Sequence, residues 1–237
     1  MCAVAILKRM SRNVVFAPDE FYHLYNRGTE KRNVFGTKAD YERFLALLYL
    51  SNGTSAIHID NLRQQIKRGR TLLEIMKEFD REKSLVDIGA YCLMPNHFHL
   101  LVQEKSEGGI SKFMQKLLTA YTMYFNTSRV RTGALFQGKF KATHATDDKY
   151  LAYLISYIHL NPVKLIEPKW KETGIAHRTR ALSYLEKYQY SSFPDYIGQV
   201  RPQQAIINKS ALPPYCESLL DFKKAVREWL DYHKDDL

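Results

Sequence analysis

The chain has 237 residues, 45% apolar and 13% aromatic, enough to bury a full core and unlike a disordered chain. Its 35 lysines and arginines against 25 acidic residues leave a net charge of +10, which favours a polyanionic partner, nucleic acid above all; the plainer reading is a basic soluble protein. Three widely spaced cysteines (Cys2, Cys92, Cys216) argue against a disulfide framework or a zinc ribbon, and no apolar stretch suits a bilayer or a signal-peptide core, so a cytoplasmic protein with no membrane partner is expected.

Residues 1–17 carry Lys8, Arg9 and Arg12 without periodicity and read as a basic N-terminal arm. Phe21–Asn26 is aromatic and alternating, as in a strand, and Arg27-Gly28-Thr29 turns the chain. Val34–Gly36 reads as a short strand or the remnant of one. Thr37, with Asp40 three residues on, caps a helix whose apolar stripe is Tyr41, Phe44, Leu45, Leu47 and Leu48. Ser51–Ser55 breaks that helix. Residues 56–83 read as a helical excursion with Leu62, Ile66, Leu73, Ile75, Met76 and Phe79 as its apolar set. Its basic run, Arg63, Lys67, Arg68 and Arg70, suits a phosphate-contacting surface and a solvated helix face equally well.

Val86–Met94 reads as a strand with Val86, Ile88, Ala90, Cys92 and Met94 on one face. Pro95-Asn96 turns it into a second strand, forming a hairpin. There the two-residue period puts His97, His99 and Leu101 on one side and Phe98, Leu100 and Val102 on the other. The second set should pack on helices. The first sets two imidazoles side by side, able to converge on one metal ion without bending the backbone; the plainer reading is two half-buried polar residues. Ile110–Asn126 is a helix by the spacing of Phe113, Met114, Leu117, Leu118, Tyr121 and Phe125. Arg129, Arg131, Lys139 and Lys141 bracket a loop containing Phe136 and Phe140, which suits either a groove that stacks bases or a hairpin with core phenylalanines. Thr146-Asp147-Asp148 starts a helix that runs to Asn161 and stops at Pro162, with Tyr157 and Asn161 on one face. Tyr188–Phe193 is aromatic and turn-rich, and Leu219–Tyr232 can form an amphipathic helix.

Met94-Pro-Asn-His-Phe-His-Leu-Leu-Val102, followed by Ser156-Tyr-Ile-His-Leu-Asn-Pro162, resembles the single-tyrosine HUH transposases of bacterial insertion sequences, and within them the REP-associated tyrosine transposases. Tyr22-His-Leu-Tyr-Asn-Arg-Gly28 and Phe136-Gln-Gly-Lys-Phe140 are similar to that branch too. The resemblance covers roughly residues 20–165 and a Tyr-x-x-Ser-Ser stretch near residue 190. It implies an α/β (α+β), two-layer fold, with a central antiparallel sheet of RNA-recognition or ferredoxin-like type packed on helices. The transposase domain would occupy residues 18–165, with the 56–83 helical insertion, and residues 166–237 would be a C-terminal extension packed on it.

The resemblance also implies an enzyme that cuts and rejoins single-stranded DNA through a covalent 5′-phosphotyrosine. Tyr157 would be the nucleophile, and His97, His99 and Asn161 the ligands of one Mg2+ or Mn2+ ion. The residue types suit the reaction, because an anionic phosphodiester resists attack and a phenol, with a pKa near ~10, is mostly neutral at pH 7. A cation relieves both obstacles. Arg27, Arg129, Arg131, Lys139 and Lys141 are the candidate DNA contacts, and the expected partner is single-stranded DNA with a hairpin. Relatives occur as dimers and as monomers, so both a homodimer and a monomer stay open. One rival is a domesticated or inactive protein that binds DNA hairpins without cutting. Another is a metallohydrolase of small phosphoesters, against which the basic excess argues.

Overall fold

The computed structural model describes residues 14–55, 69–79, 81, 83–214, 224 and 226. Four strands, β1 (Phe21–Arg27), β2 (Val86–Met94), β3 (His97–Glu104) and β4 (Lys141–His144), form one antiparallel sheet in the order β2-β3-β1-β4. The helices are α1 (Lys38–Leu50), the single-turn α2 (Leu72–Ile75), α3 (Gly109–Ser128), α4 (Asp148–Leu160), α5 (Trp170–Thr173), α6 (Arg178–Lys187) and α7 (Phe193–Tyr196). With α1 before β2 and α3 before β4, the chain runs β-α-β-β-α-β, the expected ferredoxin-like arrangement.

Strand alternation decides which helices cover which face. Phe98, Leu100 and Val102 of β3 join Tyr22 and Leu24 of β1 against Phe44, Phe113, Leu117 and Tyr121 of α1 and α3. Leu101 faces the other way, into a second cluster with Leu154, Ile155 and Ile158 of α4 and with Trp170, Phe193 and Tyr196. The expected two-layer unit is therefore present, and α4 and the following segment add a helical layer on the sheet's other face. α1 starts as a capping box: Thr37 Oγ1 accepts from Asp40 N at 3.3 Å and Asp40 Oδ2 accepts from Thr37 N at 2.9 Å.

Two local features depart from the expected pattern. The five residues of β2 expected to share a face do not: Val86 and Ile88 pack with α1 and α3, while Ala90, Cys92 and Met94 pack with α4. The reason is a bulge, since Ile88 pairs with Val102 and Ala90 with Leu101, leaving Gly89 as the extra residue. Val34–Gly36 is not a strand. The Val34 and Phe35 amides both donate to Pro95 O, at 2.8 and 3.0 Å, and clamp the turn that precedes His97. Gly28 supports the same turn by donating from its amide to Asn96 O at 2.9 Å, and a Cβ there would stand 2.3 Å from Arg32 O, so only glycine fits.

In the excursion, Leu73, Ile75 and Met76 are buried in the α1 core, and Arg70 pairs with Glu78. Leu62, Ile66, Arg63, Lys67 and Arg68 lie outside the described residues, as do Lys8, Arg9 and Arg12 and all but residues 224 and 226 of the helix expected over 219–232. Residues 188–192 lie along β2, an edge strand that would otherwise present unpaired amides. Leu93 N donates to Tyr190 O at 2.9 Å, Ser192 N to Tyr91 O at 3.0 Å, and Tyr188 Oη to Leu93 O at 2.7 Å.

Candidate active site

The hairpin turn sets His97 at the first residue of β3 and His99 two residues on. Cross-strand register then fixes their neighbours. His99 stands between Cys92 of β2 and Tyr25 of β1, and Tyr25 is opposite Lys141 of β4; His97 stands between Met94 and Arg27. Directly opposed residues share a face of the sheet. Arg27, Tyr25, His23 and Lys141 therefore lie on the side of the two histidines, beneath α4.

α4 begins where Asp147 Oδ1 accepts from Tyr150 N at 2.9 Å and ends where Pro162 starts a 3-10 turn over Asn161–Leu165. Tyr150, Tyr153 and Tyr157 stack in succession along it, each ring 6.0 Å from the next. Tyr157 is the one that reaches the imidazoles, its ring edge-on to His99 at 5.6 Å and to His23 at 5.9 Å. Tyr121 is fully buried in the opposite core, with its hydroxyl on Val34 O. Asn161, one turn beyond Tyr157, donates from Nδ2 to Tyr157 O at 2.8 Å.

The hydrogen bonds assign the free atoms. Asn96 Nδ2 donates to Lys31 O at 3.2 Å, which fixes the amide so that its Oδ1 accepts from His97 Nδ1 at 2.6 Å. His97 Nε2 therefore keeps its lone pair. His99 Nδ1 lies 2.8 Å from His23 Nε2, and when His99 donates, its Nε2 likewise keeps a lone pair. Asn161 uses its Nδ2 and keeps Oδ1. Two imidazole Nε2 atoms and one amide oxygen fit a divalent ion, and the imidazoles carry the outer hydrogen bonds that metal-ligating histidines need. Among the described residues no three His, Cys, Asp or Glu side chains group as a metal site.

Burial and nearby positive charge keep the three imidazoles neutral. Burial, with Lys171 adding positive charge, brings His23 down to about 3. Burial, with Arg27, Lys171 and Lys164, brings His97 to about 4, and burial beside His23 and His97 puts His99 well below its ordinary value. Tyr157 is 8% exposed, and burial raises its phenol, against the pull of Lys164 and the Asn161 amide.

Two residues of this cluster have no role assigned from the sequence, although His23 stands within the Tyr22–Gly28 motif. His23 lies on the same alternating face as Tyr25 and Arg27, which strand period makes readable, but its pairing with His99 spans 76 residues. Lys171 follows the buried Trp170, and its Nζ donates to Tyr157 Oη at 3.1 Å and stands 4.2 Å above the Tyr157 ring.

The five candidate DNA contacts divide. Arg27 and Lys141 are exposed on the histidine face, and Lys139 is exposed in the loop before β4. Arg129 and Arg131 sit at the end of α3, on the sheet's other side. Arg129 pairs with Asp40 Oδ2 at 2.6 Å and lies over the Phe125 ring at 3.9 Å; Arg131 donates to Asn126 Oδ1 at 2.5 Å and Ala134 O at 3.2 Å. Phe136 is a core residue, edge-on to Phe98 at 5.7 Å, so the base-stacking reading fails for it, and Phe140 stacks on Phe16 at 6.2 Å.

No helix among the described residues is long and apolar enough to cross a membrane. Among curated proteins the chain has no match. A solved structure described as "Structure of the REP associates tyrosine transposase bound to a REP hairpin" is similar to it at 13% identity and a TM-score of 0.46, over 81% of this chain and 89% of that chain. A family model described as "Transposase IS200 like" matches residues 21–161. That span opens on the first residue of β1, closes on Asn161 and holds every residue of the cluster but Lys171; the chain belongs to the IS200-like transposase family.

Proposed function

We propose that this protein acts in the cytoplasm as a transposase that cuts and rejoins single-stranded DNA, presented with a hairpin, through a covalent 5′-phosphotyrosine on Tyr157. The observation that carries this reading is the Tyr157 ring 5.6 Å from His99, with His97 and His99 side by side at 5.0 Å and their Nδ1 atoms engaged by Asn96 and His23. Tyr157 Oη attacks the phosphorus, the P–Oη bond forms, the P–O3′ bond breaks, and O3′ takes up a proton in exchange for the one lost by the phenol. Because the phosphodiester is retained as a phosphotyrosine, another 3′ hydroxyl can reverse the step without an external energy source.

His97, His99 and Asn161 are the residues that would hold one Mg2+ or Mn2+ ion. When bound, such an ion supplies positive charge beside the phosphoryl oxygens. Arg27 and Lys141 lie on the histidine face, and Lys139 is exposed two residues before Lys141; we assign these three to the DNA backbone. The catalytic unit on this reading is residues 18–165, and residues 166–237 are its extension, of which Trp170, Phe193, Tyr196 and Leu212 pack with α4.

The test is incubation of the protein with 5′- and 3′-labelled single- and double-stranded DNA, including hairpins that flank its own gene, in magnesium, manganese or EDTA. Label should stay with denatured protein only for single strands and only with metal, and Tyr157→Phe should abolish it while DNA affinity holds within about two-fold. An adduct that survives Tyr157→Phe moves the nucleophile elsewhere. Tight binding with no adduct under any condition makes this a DNA-binding protein only.

A further inference from the structure

Lys171 lies outside the span that the family model matches, and its Nζ hydrogen-bonds the Tyr157 phenol oxygen, on which the Asn161 amide also acts. Its position is built. Trp170 is 1% exposed in the core beneath α4, which anchors the one-turn helix that carries the lysine. Glu167 closes the loop around that helix, its carboxylate accepting from Ala176 N at 2.9 Å and His177 N at 3.2 Å. The lysine is half-buried, and its Nζ donates to Tyr157 Oη at 3.1 Å while standing 4.2 Å above the Tyr157 ring and 5.5 Å above the Trp170 ring.

We propose that Lys171, supplied by the C-terminal extension, is a catalytic residue that holds the Tyr157 oxygen and stabilises its negative charge in both the cutting and the rejoining step. This rests on the transposase reading above. In cutting, Oη must give up its proton to bond phosphorus; in rejoining, Oη leaves phosphorus with the electron pair and regains a proton. Relative to the neutral phenol, both steps place negative charge on Oη, and one fixed ammonium serves both. Lys171 keeps its own proton throughout, so the step balances as written above. The same geometry explains why the catalytic tyrosine can be buried: the positive charge that water would otherwise supply by reorientation is already in place. It also gives the extension a part in the chemistry that the family span alone lacks.

Two measurements on the full chain test this. The first needs no DNA or metal: a small fluorophosphonate in EDTA, whose fluoride a reactive phenol displaces, with labelled tyrosines mapped by mass spectrometry. Tyr157 should label faster than Tyr150 and Tyr153. Lys171→Met should slow Tyr157 alone by roughly 10- to 100-fold, the worth of one hydrogen bond to a charged group, and Lys171→Arg should restore part of the rate. The second is single-turnover adduct formation and religation with the flanking single-stranded hairpins, where Lys171→Met should slow both directions by a similar factor and leave DNA affinity within a few-fold. Lys171→Gln serves if the methionine variant does not fold. Equal labelling of Tyr157 in wild type and Lys171→Met, or a wild-type Tyr157 no more reactive than Tyr150 and Tyr153, overturns the role of Lys171. Failure of the wild type to form any DNA adduct while the labelling difference persists overturns the transposase reading and leaves the Lys171–Tyr157 coupling standing.

Discussion

His23 Nε2 lies 2.8 Å from His99 Nδ1, and both rings are buried. Two neutral imidazoles at that distance share one proton, so the tautomer of one dictates the tautomer of the other. With His99 as donor, His23 fixes both the plane of the His99 ring and the lone pair on its Nε2. On the proposed metal site His23 would be a positioning residue, since outer partners of this kind govern metal affinity.

His23→Ala should therefore weaken Mn2+ binding by roughly 10- to 100-fold, read by electron paramagnetic resonance titration of the free ion. His23→Gln, whose Oε1 accepts from an N–H, should retain most of the affinity. Unchanged affinity in the alanine variant would mean that His99 is oriented by something else.

Stability should fall with acid. His23 and His159 are buried and both are brought to about 3, chiefly by burial; His159 Nε2 is held by Ser192 Oγ at 2.6 Å. Their folded pKa lies below the unfolded value near ~6.5, so between the two the unfolded chain binds more protons. Their contribution is complete above pH 6.5 or so and is lost as pH falls toward 3, at up to about 1.4 kcal/mol per pH unit for each group. The urea midpoint of the metal-free protein should thus be lower at pH 5 than at pH 7. A midpoint that holds or rises at pH 5 would show these imidazoles charged in the native state.

Arg201 pins the extension to β2. Its guanidinium bonds both Asp195 carboxylate oxygens, at 2.8 and 2.6 Å, Gln189 O at 2.9 Å and Tyr91 Oη at 3.2 Å, with Asp195 wholly buried. Arg201→Met strands a buried carboxylate and should destabilise by roughly 3–5 kcal/mol in urea unfolding, with faster proteolysis after residue 165. Adding Asp195→Leu to it should recover part of the loss, because the desolvated charge goes with it. A double variant no more stable than the single one would place the cost in packing instead.

The basic residues should separate by salt dependence. Lys141→Ala, on the histidine face, should weaken DNA binding and lower the slope of log affinity against log salt by about 0.7 to 1. Arg129→Ala should leave that slope unchanged and reduce stability by roughly 1–3 kcal/mol, because Asp40 loses its ion pair at the N-terminus of α1. A full-sized slope change in Arg129→Ala would put the end of α3 on the DNA.

What the sequence by itself determined was local. Alternation from His97 to Val102 sorted two faces correctly, Thr37 and Asp40 marked the start of α1, and the four-residue step put Asn161 one turn above Tyr157. Each of these is set within a few residues by backbone stereochemistry. Tertiary structure alone decided the partners. A single extra residue at Gly89 moved Ala90, Cys92 and Met94 to the face opposite Val86, and Phe136 went into the core against Phe98 and Tyr121. Pairing across the sheet joined His23 to His99, and docking of Trp170 brought Lys171 to Tyr157. Such meetings depend on how the whole core packs, and a local period records only which way a side chain points.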